Sequence, residues 1–157
     1  QIVPKKGAFV PPISDTEARS VMEARGLIED WCVRKLTPAA ESFVAELEGL
    51  LAEQEKLIDD PVGFIERDRA FHRAIVRQAG NSVLAEFYES LRDRQIRMGL
   101  RAVVKGENRA RSVLAEHAAI VSGLRSGDVE RVGEAMAKHL ESTLTALRVP
   151  MGSVMSR

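Results

Sequence analysis

The 157-residue chain holds one cysteine, three histidines, no net formal charge and no long apolar run. A single cysteine cannot close an intrachain disulfide, so nothing staples the fold, and a reducing compartment such as the cytoplasm fits it. The longest unbroken apolar run is residues 118–121, far short of the roughly 20 needed to span a bilayer. No charged start followed by an apolar stretch marks a signal peptide, so no membrane partner is expected. Basic and acidic side chains number 23 each. That balance argues against strong nucleic-acid binding by this chain itself, because phosphate contacts need clustered Lys and Arg. The chain also lacks a GxSxG motif, a phosphate-binding glycine loop and an HExxH pair, which removes the commonest signatures of hydrolases and nucleotide enzymes. Cys32, between Trp31 and Val33 with no His nearby, reads as a small buried hydrophobe.

What is present describes one globular domain with a short foreign start. The chain is 45% hydrophobic and 29% charged, enough to build a core. Residues 1–12 hold three of the six prolines, two lysines and no acidic residue; they read as the end of a β-ribbon followed by a stiff linker. From residue 13 to 148 the pattern is helical. Ser14-Asp15-Thr16-Glu17 is a capping box that opens a first helix over about residues 15–35. Thr37-Pro38 and Asp60-Pro61 each supply an N-cap and a first-turn proline for the second and third helices. Gly80-Asn81, Lys105–Asn108 and Gly127-Asp128 separate the third from the fourth, the fourth from the fifth and the fifth from the sixth. The last helix runs to about Leu147, and residues 149–157, with Pro150 and Gly152, form a frayed tail. No helical segment holds an internal proline and nothing after Pro12 resembles a strand. The fold class is therefore all-α, an antiparallel bundle of about six helices.

Four polar residues fall on faces where apolar ones belong. In the third helix the stripe Phe64, Ile65, Phe71, Ile75 and Val76 encloses Asp68 and His72, four residues apart and so one turn from each other. The outer face instead carries Glu66, Arg67, Arg69, Arg73 and Arg77. His117 lies within the stripe Val113, Leu114, Ile120, Val121, Leu124, and His139 at the edge of Val129, Val132, Met136, Leu140. An inward histidine is usually a satisfied core residue, but all three histidines and one carboxylate share this placement. An ionised Asp buried without a partner costs several kcal/mol, and a divalent cation held by imidazoles compensates it directly. Three imidazoles and a carboxylate suit zinc first, and also nickel, manganese or iron, better than calcium or magnesium. Four ligands could close a tetrahedral site; a six-coordinate ion would keep two positions open for water or a bidentate organic acid. Three uses remain open: a sensor, a metalloenzyme that activates water, or a metal that only locks the bundle. For the enzyme, a general base is missing, since Glu116 adjoins His117 but is expected to point away from the metal.

Asp68-Arg-Ala-Phe-His72, Glu116-His117-Ala-Ala-Ile120, Gly127-Asp128 and Met136-Ala-Lys-His139-Leu140 together resemble the C-terminal ligand-binding (FCD) domain of GntR-type transcription regulators. The likeness is to the FadR-like subfamily in its six-helix, VanR-like form, and runs from about Ile13 to Leu147. Lys5-Lys6-Gly7-Ala8-Phe9-Val10 is loosely similar to the wing that ends the family's winged helix-turn-helix domain, whose remainder lies outside this chain. The resemblance implies that Asp68, His72, His117 and His139 hold a metal at which a small carboxylic-acid effector binds. It implies that Arg25 in the first helix, with Arg97 or Arg101 in the fourth, grips the acid. It also implies a homodimer that reaches operator DNA through the N-terminal domain.

Overall fold

The computed structural model describes residues 12–105 and 108–147; the expected wing and the frayed tail lie outside the described residues. Among those described there are seven helices and no strand: α1 (Asp15–Leu36), α2 (Glu41–Lys56), α3 (Pro61–Gln78), α4 (Ser82–Glu89), α5 (Arg92–Lys105), α6 (Arg109–Ser126) and α7 (Val129–Ala146). The all-α bundle expected from the sequence is the observed fold.

Most of the punctuation acts as its chemistry dictates. Ser14 Oγ accepts from Glu17 N at 3.1 Å, Asp60 Oδ1 from Gly63 N at 3.2 Å, and Asn81 Oδ1 from both Val83 N and Leu84 N. Each satisfies an amide that the first turn leaves orphaned. The Glu17 carboxylate does not complete the capping box; it pairs with Arg94 of α5 at 3.1 Å. Gly127 ends α6 at φ +82°, a left-handed conformation that glycine adopts without a Cβ penalty, and Asp128 caps α7 through Arg131 N.

Two boundaries differ from the expectation. α2 starts at Glu41, because the Thr37 hydroxyl donates back to Val33 O at 2.7 Å and so finishes α1. The expected fourth helix is divided into α4 and α5 at Ser90-Leu91, which turns about six helices into seven. Ser90 Oγ donates to Phe87 O, and Leu91 drops into the core at 3% exposure.

α7 packs along both α1 and α6, while α3 lies against α2, α5 and α1. The main core runs through Val21, Val33, Phe71, Ile75, Ile120 and Met136. A smaller cluster of Phe64, Ile65 and Val113 closes the end near α5. Between these two apolar bodies, α1, α3, α6 and α7 converge on the polar residues singled out above. No helix among the described residues is long and apolar enough to cross a membrane.

Candidate metal centre

α3 supplies Asp68 and His72, α6 supplies His117 and α7 supplies His139. The three histidines are at most 2% exposed. One donor atom from each of the four residues lies within 4.8 Å of all the others. His72 Nε2 is 3.2 Å from His117 Nε2 and 3.1 Å from His139 Nε2. Asp68 Oδ1 is 3.1 Å from His117 Nε2 and 3.8 Å from His72 Nε2. The four residues expected from the sequence are thus brought to one point.

The far side of each ring decides what that point can hold. His72 Nδ1 faces Glu29 Oε1 at 2.5 Å, His117 Nδ1 faces Gln54 Oε1 at 3.0 Å, and His139 Nδ1 faces Glu116 Oε1 at 2.6 Å. Gln54 Nε2 donates to Phe64 O at 3.4 Å, which fixes the amide with its oxygen toward His117. All three Nδ1 atoms therefore carry the proton and donate it. In a neutral imidazole the Nε2 atom then has a lone pair and no hydrogen. Three such lone pairs and a carboxylate oxygen face one another, an arrangement that repels unless a proton or a cation lies between. At His117 and His139 a proton is disfavoured. Burial lowers the affinity of His117 for a proton, against the pull of Asp68, and burial takes His139 down to about 3 despite its bond to Glu116. Asp68 is held below the ordinary carboxylate range, its burial outweighed by the imidazoles around it. The donor set therefore fits a divalent cation. Atoms bound at about 2.0–2.2 Å to one ion stand about 3.0–3.5 Å apart, close to the spacings given above.

The rings have little freedom to turn away. Phe71 stacks on His117 with centroids 4.1 Å apart and planes within 8°, and His72 and His139 stack on each other at 5.0 Å. Glu29, 0% exposed, accepts from Arg25 Nε at 2.8 Å, from Tyr88 Oη at 2.8 Å and from His72. Burial works to raise its pKa, but Arg25 and His72 overcome this and keep it well below the usual carboxylate range.

Glu29 and Gln54 were not anticipated. Glu29 sits in the apolar stripe of α1 beside Ile28 and Cys32, the same signal that revealed Asp68 in α3. Gln54 lacks even that cue, because a neutral amide at a helix end is common. Glu116 was expected to point away; it does lie outside the four donors, yet it holds His139 in place.

A cavity of about 30 Å³ lies beside Asp68 and His139. Arg25, the first-helix arginine, is among its lining residues. Arg97 and Arg101 are not among its lining residues; Arg101 Nη2 instead reaches Leu147 O at 3.0 Å and Asp15 Oδ1 at 3.4 Å. Two other arginines take their place on the wall, Arg69 and Arg109. Arg69, read as outward-facing, is only 9% exposed. Its Nη2 donates to both Glu89 oxygens at 2.8–2.9 Å and its Nε to Gln95 Oε1 at 3.3 Å, which draws the chain under α4 and α5. Cys32 is a fully buried free thiol, and burial pushes it up to about 12, as suits a core residue.

The sequence model of the FCD domain matches residues 20–142, which include all four donors and Arg25. No curated protein sequence matches the chain. Among solved structures, the metal-free FCD domain of TM0439, a candidate transcriptional regulator, aligns with TM-score 0.68 and 21% identity over 88% of this chain and 96% of that one. E. coli McbR/YncC aligns with TM-score 0.73 and 19% identity over 94% of this chain and 75% of that one. At such identities the two structures speak for the fold, and the family match over most of the chain speaks for the lineage. The chain belongs to the FCD domain family.

Proposed function

We propose that this domain senses a small organic acid at a buried divalent metal and conveys the binding event to operator DNA. The observation that carries the reading is the set of three Nε2 atoms and an Asp68 oxygen brought to one point, beside a cavity lined with arginine. Asp68, His72, His117 and His139 would hold the ion, with zinc as the first candidate and nickel, manganese or iron also matched to the donors. Glu29, Gln54 and Glu116 orient the rings. A bound divalent ion would supply coordination positions for the acid's carboxylate, and Arg25 would supply charge at the same wall. The proposal extends to a cytoplasmic homodimer whose DNA-binding domains precede the bundle, the acid shifting the population between operator-competent and incompetent arrangements.

The test is a thermal-shift series on metal-stripped and metal-loaded protein, with metal content measured for wild type and His139→Ala. Sensing predicts that metal raises the melting temperature, that small acids raise it further only when metal is present, and that His139→Ala loses both responses. A metal that merely locks the bundle would give the first rise without the second. Wild-type protein that stays metal-free in excess zinc, nickel and manganese would end the proposal.

A further inference from the structure

The cavity beside the four donors is smaller than the ligand proposed for it. Its volume of about 30 Å³ is room for about two waters, less than an organic acid with even a short carbon chain fills. The three rings are at most 2% exposed. An ion or an acid that reaches the centre must therefore displace part of the wall.

The donors decide which part can give. The four candidate ligands, and the Glu29, Gln54 and Glu116 groups that hold the rings, come from α1, α2, α3, α6 and α7. α5 supplies none of them, yet it contributes Gln95, Met98, Gly99, Ala102 and Val103 to the wall. Met98 and Ala102 are 1% and 2% exposed, and their burial keeps α5 closed at rest. Its two edges are held differently. Toward α3 the packing is close: a Cβ on Gly99 would stand 2.9 Å from Ile65 Cγ2, and Gln95 Oε1 accepts from Arg69 Nε at 3.3 Å. Toward α1, Arg94 Nε meets Glu17 Oε2 at 3.1 Å and Arg101 Nη2 meets Asp15 Oδ1 at 3.4 Å. Arg94 and Arg101 are two turns apart on one face of α5, and both carboxylates stand in the first turn of α1. Those carboxylates are 39% and 50% exposed. Ion pairs so open to water are weak and are screened by salt, so this edge releases before the other. At its start, α5 is already separated from α4 by the Ser90-Leu91 break.

Resting on the metal part of the reading above, we propose that α5 is a lid over the centre, pivoting along α3 and latched to α1 by the pairs Arg94–Glu17 and Arg101–Asp15. Opening uncovers the Asp68–His139 side of the site without moving a donor. Such a latch sets how often the site opens, and it does not touch the bonds that hold an ion inside. Weakening it therefore speeds entry and exit alike and leaves their ratio, the Kd, in place.

The experiment compares wild type with the double variant Asp15→Asn/Glu17→Gln, whose changes lie outside the donors and the groups that hold them. Zinc uptake, and zinc release to excess EDTA, are followed by stopped flow; backbone amide exchange is measured on the metal-stripped forms. The expected result is that uptake and release both quicken, each by about threefold or more, with the zinc Kd unchanged. Arg94→Gln, the other half of one pair, should give part of the same gain. Added salt should speed release from wild type more than from the double variant. In the stripped double variant the amides of α5 should lose protection together, while those of α3 and α6 keep theirs. Rates equal to those of wild type, or a release that quickens alone with a matching loss of affinity, would overturn the lid. Wild-type protein that takes up no zinc would overturn the metal reading instead, and amide exchange would then judge the lid by itself: protection lost equally across α3, α5 and α6 would end it.

Discussion

At the scale of single residues, Glu29 has the most demanding role. One fully buried carboxylate accepts from Arg25, Tyr88 and His72, which come from α1, α4 and α3. Glu29→Gln removes the carboxylate charge paired with Arg25 in a dry setting, and breaking a buried pair in this way costs about 3–5 kcal/mol. Tyr88→Phe removes one hydrogen bond to a charged group, for about 1.5–3 kcal/mol. Urea unfolding of both variants should show this order; a Tyr88→Phe loss that exceeds the Glu29→Gln loss would contradict it. Gln54 acts more narrowly. Gln54→Leu leaves His117 Nδ1 without its acceptor, and losing such an outer partner lowers metal affinity about 10–100-fold, measurable by competition with a chromogenic chelator. The four central donors were legible in the sequence because each interrupts an apolar stripe. Glu29 interrupts one too, yet its partner lies 43 positions away in His72. Gln54 and Glu116 gave no such sign. Which nitrogen of a ring they hold depends on how α2, α6 and α7 cross, and no local pattern encodes that.

At the scale of elements, the caps were legible and the α4–α5 division was not. Asn81 caps through two amides, and Asn81→Ala is expected to cost about 1 kcal/mol, read as a lower urea midpoint with unchanged slope. No glycine, proline or asparagine marks Ser90-Leu91. The break is made from outside: Tyr88 is drawn inward to Glu29, and Glu89 is held by both Arg69 and Arg73. Thr37-Pro38 carried a local signal that tertiary contacts reassigned, since Ala39 N bonds Leu124 O at the end of α6. The crossing of α6 and α7 depends on Gly123, where a Cβ would lie 2.9 Å from Val132 Cα. The obstacle is backbone, which cannot swing aside as a side chain could. Gly123→Ala should therefore destabilise by about 1–3 kcal/mol, although alanine favours an isolated helix by about 0.8–1.0 kcal/mol. A neutral or stabilising Gly123→Ala would show that the two helices separate more easily than their packing indicates.

At the scale of the whole molecule, the fold and the centre make opposing demands that pH exposes. The bundle buries His117 and His139 neutral, and burial holds both below their ordinary proton affinity, His139 at about 3. An unfolded chain regains the ordinary histidine value of about 6.5. Between those values the unfolded state binds protons that the folded state refuses, so stability falls as pH drops through about 6.5 and keeps falling toward about 3. For metal-stripped protein the expected outcome is a melting temperature that declines steadily from pH 7.5 to pH 5. A bound cation adds stability in proportion to the logarithm of its free concentration over its Kd, about 2.7 kcal/mol at a hundredfold excess. For a domain of this size each kcal/mol moves the melting temperature by about 2–4 °C. The gap between loaded and stripped protein should therefore be several degrees at pH 7.5 and should persist to pH 5, because the folded His117 and His139 rings resist the protons that would compete for their Nε2 lone pairs. Differential scanning calorimetry of both forms across that range checks the two parts separately. A stripped protein whose stability holds level or rises toward pH 5 would mean that the imidazoles are already protonated in the fold, and the case for a cation at their centre would fall with it.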